Sequence, residues 1–211
     1  MAVFPRCGRH DMANKTFRQW LWDFLGIPFR FVLFNQAWLP RFGWTTLEEE
    51  RINAVLPHSC GRLLDVGAGP NNLVKRHGDG VGVDVFDWGG GALVVEDAAR
   101  LPFADAEFDT ISFLACLNHI PNRLEVLKEA HRLLKQDGRL IVTMINPLLG
   151  GVGHRIWWYS EDKVRGGMKE GEVGGMWDSD IIRLAGSCRF ALSHKEKFNL
   201  KLVSLLVFRH A

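Results

Sequence analysis

Leu63-Leu64-Asp65-Val66-Gly67-Ala68-Gly69-Pro70 decides the reading of this chain: a short apolar run ends in an acid and enters two glycines spaced for a tight turn. Glycine lets the backbone take positive φ and come close to a ligand, and the N–H groups of a helix starting just beyond are left to bind it. That combination is how an α/β protein cradles a nucleotide-like cofactor. Val81-Gly82-Val83-Asp84 and Leu93-Val94-Val95-Glu96-Asp97 repeat the pattern of a short strand closing on an acid. The acid after the second strand is suited to accept hydrogen bonds from two ribose hydroxyls.

Outward from this core, strands and helices alternate. Thr45 or Thr46 with Glu48 or Glu49 three residues on is a capping-box pattern for a helix to about Leu56, ended by Pro57. Pro70 at a first helical turn and Gly78 after Lys75-Arg76-His77 bracket a short helix. A fourth strand is expected from Phe108 to Leu117, continuously apolar as a parallel strand covered on both faces should be. Leu124, Leu127, Ala130 and Leu134 mark one helix face, and Leu140 to Ile145 a fifth strand. Asp178 or Ser179 can cap a helix through about Ala185, followed by Phe190 to Phe198 and Leu200 to Phe208 as a closing antiparallel pair. Strands alternating with helices imply an α/β fold whose sheet is joined by right-handed crossovers.

With these residues in place, the chain resembles the class I S-adenosylmethionine-dependent methyltransferases, in particular the small bacterial kind similar to the ubiquinone and menaquinone biosynthesis group. The likeness continues through Arg100 to Asp109, through Leu117-Asn118-His119-Ile120, and through Glu129 to Leu140, where Gln136-Asp137 stands in place of a Pro-Gly-like pair. It covers residues 61 to about 145 well and the last strands loosely. The resemblance implies a Rossmann-like, doubly wound, mostly parallel seven-stranded sheet with an antiparallel last strand. It implies S-adenosylmethionine as the cofactor, with Asp65 and the Gly67-Ala68-Gly69 turn on the methionine part and Asp84 on the ribose. Asp97 would take the adenine amino group, Phe86 or Ala98 would flank the ring, and Val85, Leu114 and Leu117 would complete the pocket. The family's third glycine is replaced by Asn71, a residue that tolerates left-handed backbone.

Asn118 and His119 follow the fourth strand at the carboxyl edge, where open α/β sheets bind ligands. His119 is a candidate base, since imidazole titrates near neutrality; the alternative is that it shapes the pocket or caps the next helix. Residues 146–176 form a lid-like insertion carrying His154, Arg155, Trp157, Trp158, Tyr159, Arg165, Lys169, Glu170 and Glu172, and Tyr159, the lone tyrosine, is a candidate to orient substrate. The function that follows is methyl transfer to a small or lipid-like, partly apolar acceptor. The competing reading is a non-catalytic cofactor-binding or scaffold subunit. A dinucleotide dehydrogenase fits less well, because no second nucleotide half follows.

The 211 residues, 47% of them hydrophobic, suffice for one core, read as a domain at 45–211 behind an aromatic-rich helical extension at 1–44. A net charge of +2 and the lack of a base-flipping motif give no reason to expect nucleic acid. Cys7, Cys60, Cys116 and Cys188 are widely spaced, with no Cys-x-x-Cys pair, so free thiols in a cytoplasmic setting and no metal are expected. No signal peptide is visible, and Asp23, Pro28, Arg30, Asn35 and Gln36 interrupt the apolar stretch from Trp20 to Leu39. Phe17, Trp20, Leu21, Phe24 and Leu25 recur at helical spacing, and the further aromatics Trp22, Phe29, Phe31, Phe34 and Trp38 lie among Arg18, Arg30 and Arg41. Such a segment either lies in a membrane interface, as a peripheral contact, or caps the active site with its rings in the core.

Overall fold

The computed structural model describes residues 45–148 and 170–211, together with Phe17, Leu21, Leu25 and Gly43. The lid candidate Tyr159, and most of the N-terminal aromatics, lie outside the described residues. Phe17, Leu21 and Leu25 are helical, with 78%, 40% and 52% of their surface exposed.

Helix α1 (Leu47–Val55) begins as its sequence dictates. The Thr46 hydroxyl accepts from the Glu49 N–H at 3.0 Å, and the Glu49 carboxylate accepts from the Thr46 N–H at 3.0 Å. A 3₁₀ turn at Leu56–His58 leads into β1 (Leu63–Val66). There follow α2 (Asn72–His77), β2 (Gly80–Asp84), β3 (Leu93–Val94), β4 (Phe108–Leu114), α3 (Arg123–Leu133), β5 (Leu134–Ile145), α4 (Asp178–Ser187), β6 (Phe190–Phe198) and β7 (Val203–His210). The strands form one seven-stranded sheet in the order β3-β2-β1-β4-β5-β7-β6, parallel except that β7 runs antiparallel to β5 and β6.

Alternation along the strands feeds two cores. Leu64, Val66, Leu140, Val142, Leu206 and Phe208 point to the face covered by α3 and α4. Leu63, Ile141, Leu205 and Val207 point to the face covered by α1 and α2. Parallel strands buried on both sides are mostly apolar on both faces, which is why β1 and β4 do not alternate; the buried polar groups Asp65, Thr110 and Ser112 are hydrogen-bonded.

Several boundaries differ from the sequence reading. Helix α2 starts at Asn72, not at Pro70, because Asn71 occupies left-handed backbone at φ 63° and must precede the helix. Its other end is as expected, with Gly78 at φ 93°. Strand β4 stops at Leu114, since Ala115 at φ 51° turns the chain and Leu117–His119 forms a 3₁₀ turn. Leu134 belongs to β5 and not to the helix: it pairs with Phe108 before a register shift brings Arg139 opposite Thr110, so Gln136 and Asp137 lie within an irregular strand. Trp177, not Asp178, is the cap residue of α4, and the Asp178 carboxylate instead takes Lys195 of β6 at 2.7 Å. Asn199, Leu200 and Lys201 all have positive φ, so the last turn extends three residues further and β7 starts at Val203.

Candidate active site

Sheet order reverses at β1, whose neighbours β2 and β4 both carry the chain away from it, and the crevice this opens at the carboxyl ends is where such sheets bind ligands. A cleft of about 160 Å³ lies there, lined by Val66, Gly67, Gly69, Pro70, Val83, Asp84, Val85, Trp88, Val95, Ala98, Leu114, Ala115, Cys116, His119 and Ile120.

The glycine turn is set by sterics. Gly67 has φ 73°, and a Cβ there would lie 2.5 Å from the Cβ of Cys116. The Gly67 and Ala68 N–H groups bond to the Val83 carbonyl at 2.9 and 3.0 Å, which ties the turn to β2. At the end of β2 the Asp84 carboxylate accepts from the Gly69 N–H at 2.9 Å through one oxygen and from the Phe86 N–H at 3.0 Å through the other. Each oxygen keeps acceptor capacity, so the half-buried group can take two further donors such as a vicinal diol. Val85, Trp88, Val95, Ala98, Leu114 and Ile120 supply apolar walls of a kind that suits a purine.

Gly67, Gly69, Asp84, Val85, Ala98, Leu114 and His119 therefore meet in one cleft, as residues from four segments of the sequence. The remaining candidates sit around it. Asp65 is beneath the floor, 2% exposed, accepting from the Ser112 hydroxyl at 2.7 Å. Burial pushes its carboxyl up to about 7, against the pull of that hydrogen bond. Ala68 packs on Gly82 of β2, and Leu117 is in the core. Phe86 lies on the edge of Trp88, ring centroids 4.8 Å apart, and Trp88 rather than Phe86 faces the cleft. Asp97 is exposed three residues beyond β3, where the Ala99 N–H and the Asn122 amide on its carboxylate hold it below the usual carboxylate range.

On the opposite wall, Asn118 is buried and turned to residues 171–173 of the 146–176 insertion. Its side-chain amide donates to the Val173 carbonyl at 3.0 Å, and the Val173 N–H donates to the Asn118 carbonyl at 2.9 Å. The Arg123 guanidinium joins the Leu117, Asn118 and Gly171 carbonyls at 2.8 to 2.9 Å. This staple brings Glu172, whose side chain is 1% exposed, within 3.3 Å of His119 Nδ1. A carboxylate at Nδ1 favours the tautomer with its proton there and leaves Nε2 as the basic nitrogen. Sequence reasoning counted Glu172 among the polar residues of the lid without pairing it to His119. It missed Trp88 and Cys116, the latter a half-buried thiol donating to the Val66 carbonyl at 2.8 Å and pushed well up by desolvation.

A family model described as a methyltransferase domain matches residues 64–142, the segment that builds the sheet and the cleft. Residues 64–142 are thus similar to a methyltransferase domain, and the sheet around them has the class I S-adenosylmethionine-dependent methyltransferase fold. The chain is 33% identical over 121 residues to the 27-O-demethylrifamycin SV methyltransferase of Amycolatopsis mediterranei, covering 46% of this chain and 43% of that protein. It is 27% identical over 152 residues to a demethylmenaquinone methyltransferase of Thermotoga maritima, covering 64% of this chain and 66% of that one. The aligned part thus spans less than two thirds of the length of either curated relative. The crystal structure of a methyltransferase from Thermotoga maritima, described as a possible histamine N-methyltransferase, superposes with a TM-score of 0.60 at 18% identity, covering 86% of this chain and 97% of that chain. The trans-methyltransferase CalH, in complex with S-adenosylhomocysteine, superposes with a TM-score of 0.54 at 16% identity, covering 71% and 51%. At such identities these likenesses concern the fold.

The residues of this cleft fit S-adenosylmethionine, the cofactor of the proteins that share the fold. The glycine cradle has no room for a side chain at Gly67, and the Asp84 carboxylate has capacity for two hydroxyls beside an apolar slot.

Proposed function

We propose that the protein methylates a small or lipid-like, partly apolar acceptor, with Asp84 and the glycine turn holding the cofactor and His119 receiving the acceptor's proton. The observation that carries this reading is the single cleft shared by the glycine turn, the Asp84 carboxylate and His119. When bound, S-adenosylmethionine supplies an activated methyl group on a sulfonium sulfur. The protein's task is then to align the acceptor and exclude water rather than to create reactivity. With that group held by Asp84 and the glycine turn, an acceptor atom that takes the methyl would give up its proton to His119 Nε2. Glu172 at Nδ1 positions the ring and stabilises the imidazolium.

The names of two relatives, a 27-O-demethylrifamycin SV methyltransferase and a demethylmenaquinone methyltransferase, support a partly apolar acceptor. Among the described residues no helix is long and apolar enough to cross a membrane. The test is methyl transfer from isotope-labelled cofactor into fractionated small molecules and lipids of the source cell. Label in an extractable compound is expected. Cofactor binding with no transfer to any fraction would overturn the catalytic reading and leave a cofactor-binding subunit.

A further inference from the structure

The edge strand β6 carries a feature that methyl transfer does not use. From Phe190 to Leu192 its register follows Phe190↔His210 and Leu192↔Phe208, so these side chains share the face of Phe208, toward α3 and α4. At Ser193 the ladder slips by one residue. His194 then pairs with Val207 and Glu196 with Leu205, both residues of the opposite core, toward α1. A one-residue bulge reverses which face a strand presents, and bulges commonly re-aim side chains at functional sites. Without Ser193, His194 and Glu196 would face away from α1.

What they face is His58, on the 3₁₀ turn that ends the α1 connection. His58 Nε2 lies 3.6 Å from Glu196 Oε1, and His194 Nε2 lies 3.4 Å from Glu196 Oε2. The two imidazole centroids are 4.9 Å apart, and one donor atom from each of the three residues falls within 4.8 Å of the others. Tetrahedral zinc with bonds of about 2.0–2.1 Å places its ligand atoms roughly 3.3–3.4 Å apart, so each imidazole–carboxylate distance is already near that spacing and the three donors together, within 4.8 Å, need to draw in by a small side-chain movement. The backbone of His58 is held by the Arg139 guanidinium, which donates to its carbonyl at 3.0 Å.

We propose that His58, His194 and Glu196 form a zinc site, with water completing the coordination, that clips the β6–β7 hairpin to the connection between α1 and β1. Two imidazoles and a carboxylate are a donor set zinc accepts and magnesium, which demands oxygen ligands, does not. The Arg139 guanidinium on the His58 carbonyl is the cation the site must tolerate. β7 and β5 separate β6 from β4, so the site is distinct from the cofactor cleft and its role is structural. The sequence concealed it, because its ligands stand 136 and 138 positions from His58 and match no short metal motif.

The test is calorimetric and thermal titration of the chelator-treated full chain with zinc, in the wild type, His194→Ala and Glu196→Gln. These ligands are half-exposed, so the metal-free variants should melt with the wild type. The wild type should bind zinc with a rise in melting temperature, and His194→Ala should weaken binding by about tenfold or more and lose that rise. Glu196→Gln should fall between them, and magnesium should leave the melting temperature unmoved. A wild type that binds no zinc, variants that titrate like the wild type, or a magnesium response equal to that of zinc would each overturn the proposal.

Discussion

On the cofactor side of the cleft, the glycine turn and Asp84 are 15 residues apart in sequence and joined by one hydrogen bond. On the acceptor side, His119 meets Glu172 across 53 residues, Asn118 meets Val173 across 55, and Arg123 meets Gly171 across 48. The first wall is made of local turns that any chain with this motif must form. The second depends on how residues 171–173 meet the 3₁₀ turn at Leu117–His119. Cofactor capture should therefore survive damage to the acceptor wall, and turnover should not.

His119→Ala tests that separation with the largest effect. Loss of a positioned proton acceptor should lower turnover by roughly 10²–10⁴-fold while cofactor affinity stays unchanged. Rate and affinity measured on one preparation check it, and a parallel fall in affinity would merge the two walls into one unit.

Asp65 tests the floor shared by both walls. A carboxyl raised from 3.8 to about 7 binds its proton more tightly in the native than in the unfolded state. Stability should therefore fall as pH rises from about 4 to 7, by up to about 4 kcal/mol from this group. Asp65→Asn keeps the Ser112 bond and removes the titration, so urea unfolding should show the variant gaining on the wild type across that window. Parallel pH profiles would show that Asp65 stays ionised.

Glu172→Gln should have the smallest effect, on the order of tenfold in turnover, because the imidazole keeps its place but loses the charge that stabilises its protonated form. The acid limb of the pH–rate profile should move to lower pH. A merely structural Glu172 would change the rate at every pH alike.

The same contrast explains what the sequence revealed. β1, β2 and the Thr46 capping box were legible because strand-end acids, glycines and a Thr-x-x-Glu spacing act within a few residues. Asn71 was legible as a glycine substitute, and its φ of 63° shows why asparagine serves. Trp88 was not, since an aromatic immediately before the Gly89-Gly90-Gly91 run has no periodicity to place it. The Glu172–His119 pair and the face reversal at Ser193 were hidden for a different reason: each is a consequence of register between distant segments. Leu134 was misplaced on the helix because an apolar residue at helical spacing carries the same pattern whether it closes a helix or opens a strand.

The central claim is that the cleft divides into a cofactor wall at Asp84 and an acceptor wall at His119. Calorimetric titration of the wild type, Asp84→Ala and His119→Ala with S-adenosylhomocysteine tests it most directly. Each charge-assisted hydrogen bond to a ribose hydroxyl contributes about 1.5–3 kcal/mol, so Asp84→Ala should bind at least about tenfold more weakly. His119→Ala should bind like the wild type. No binding by the wild type, or equal affinity in a folded Asp84→Ala, would contradict the account.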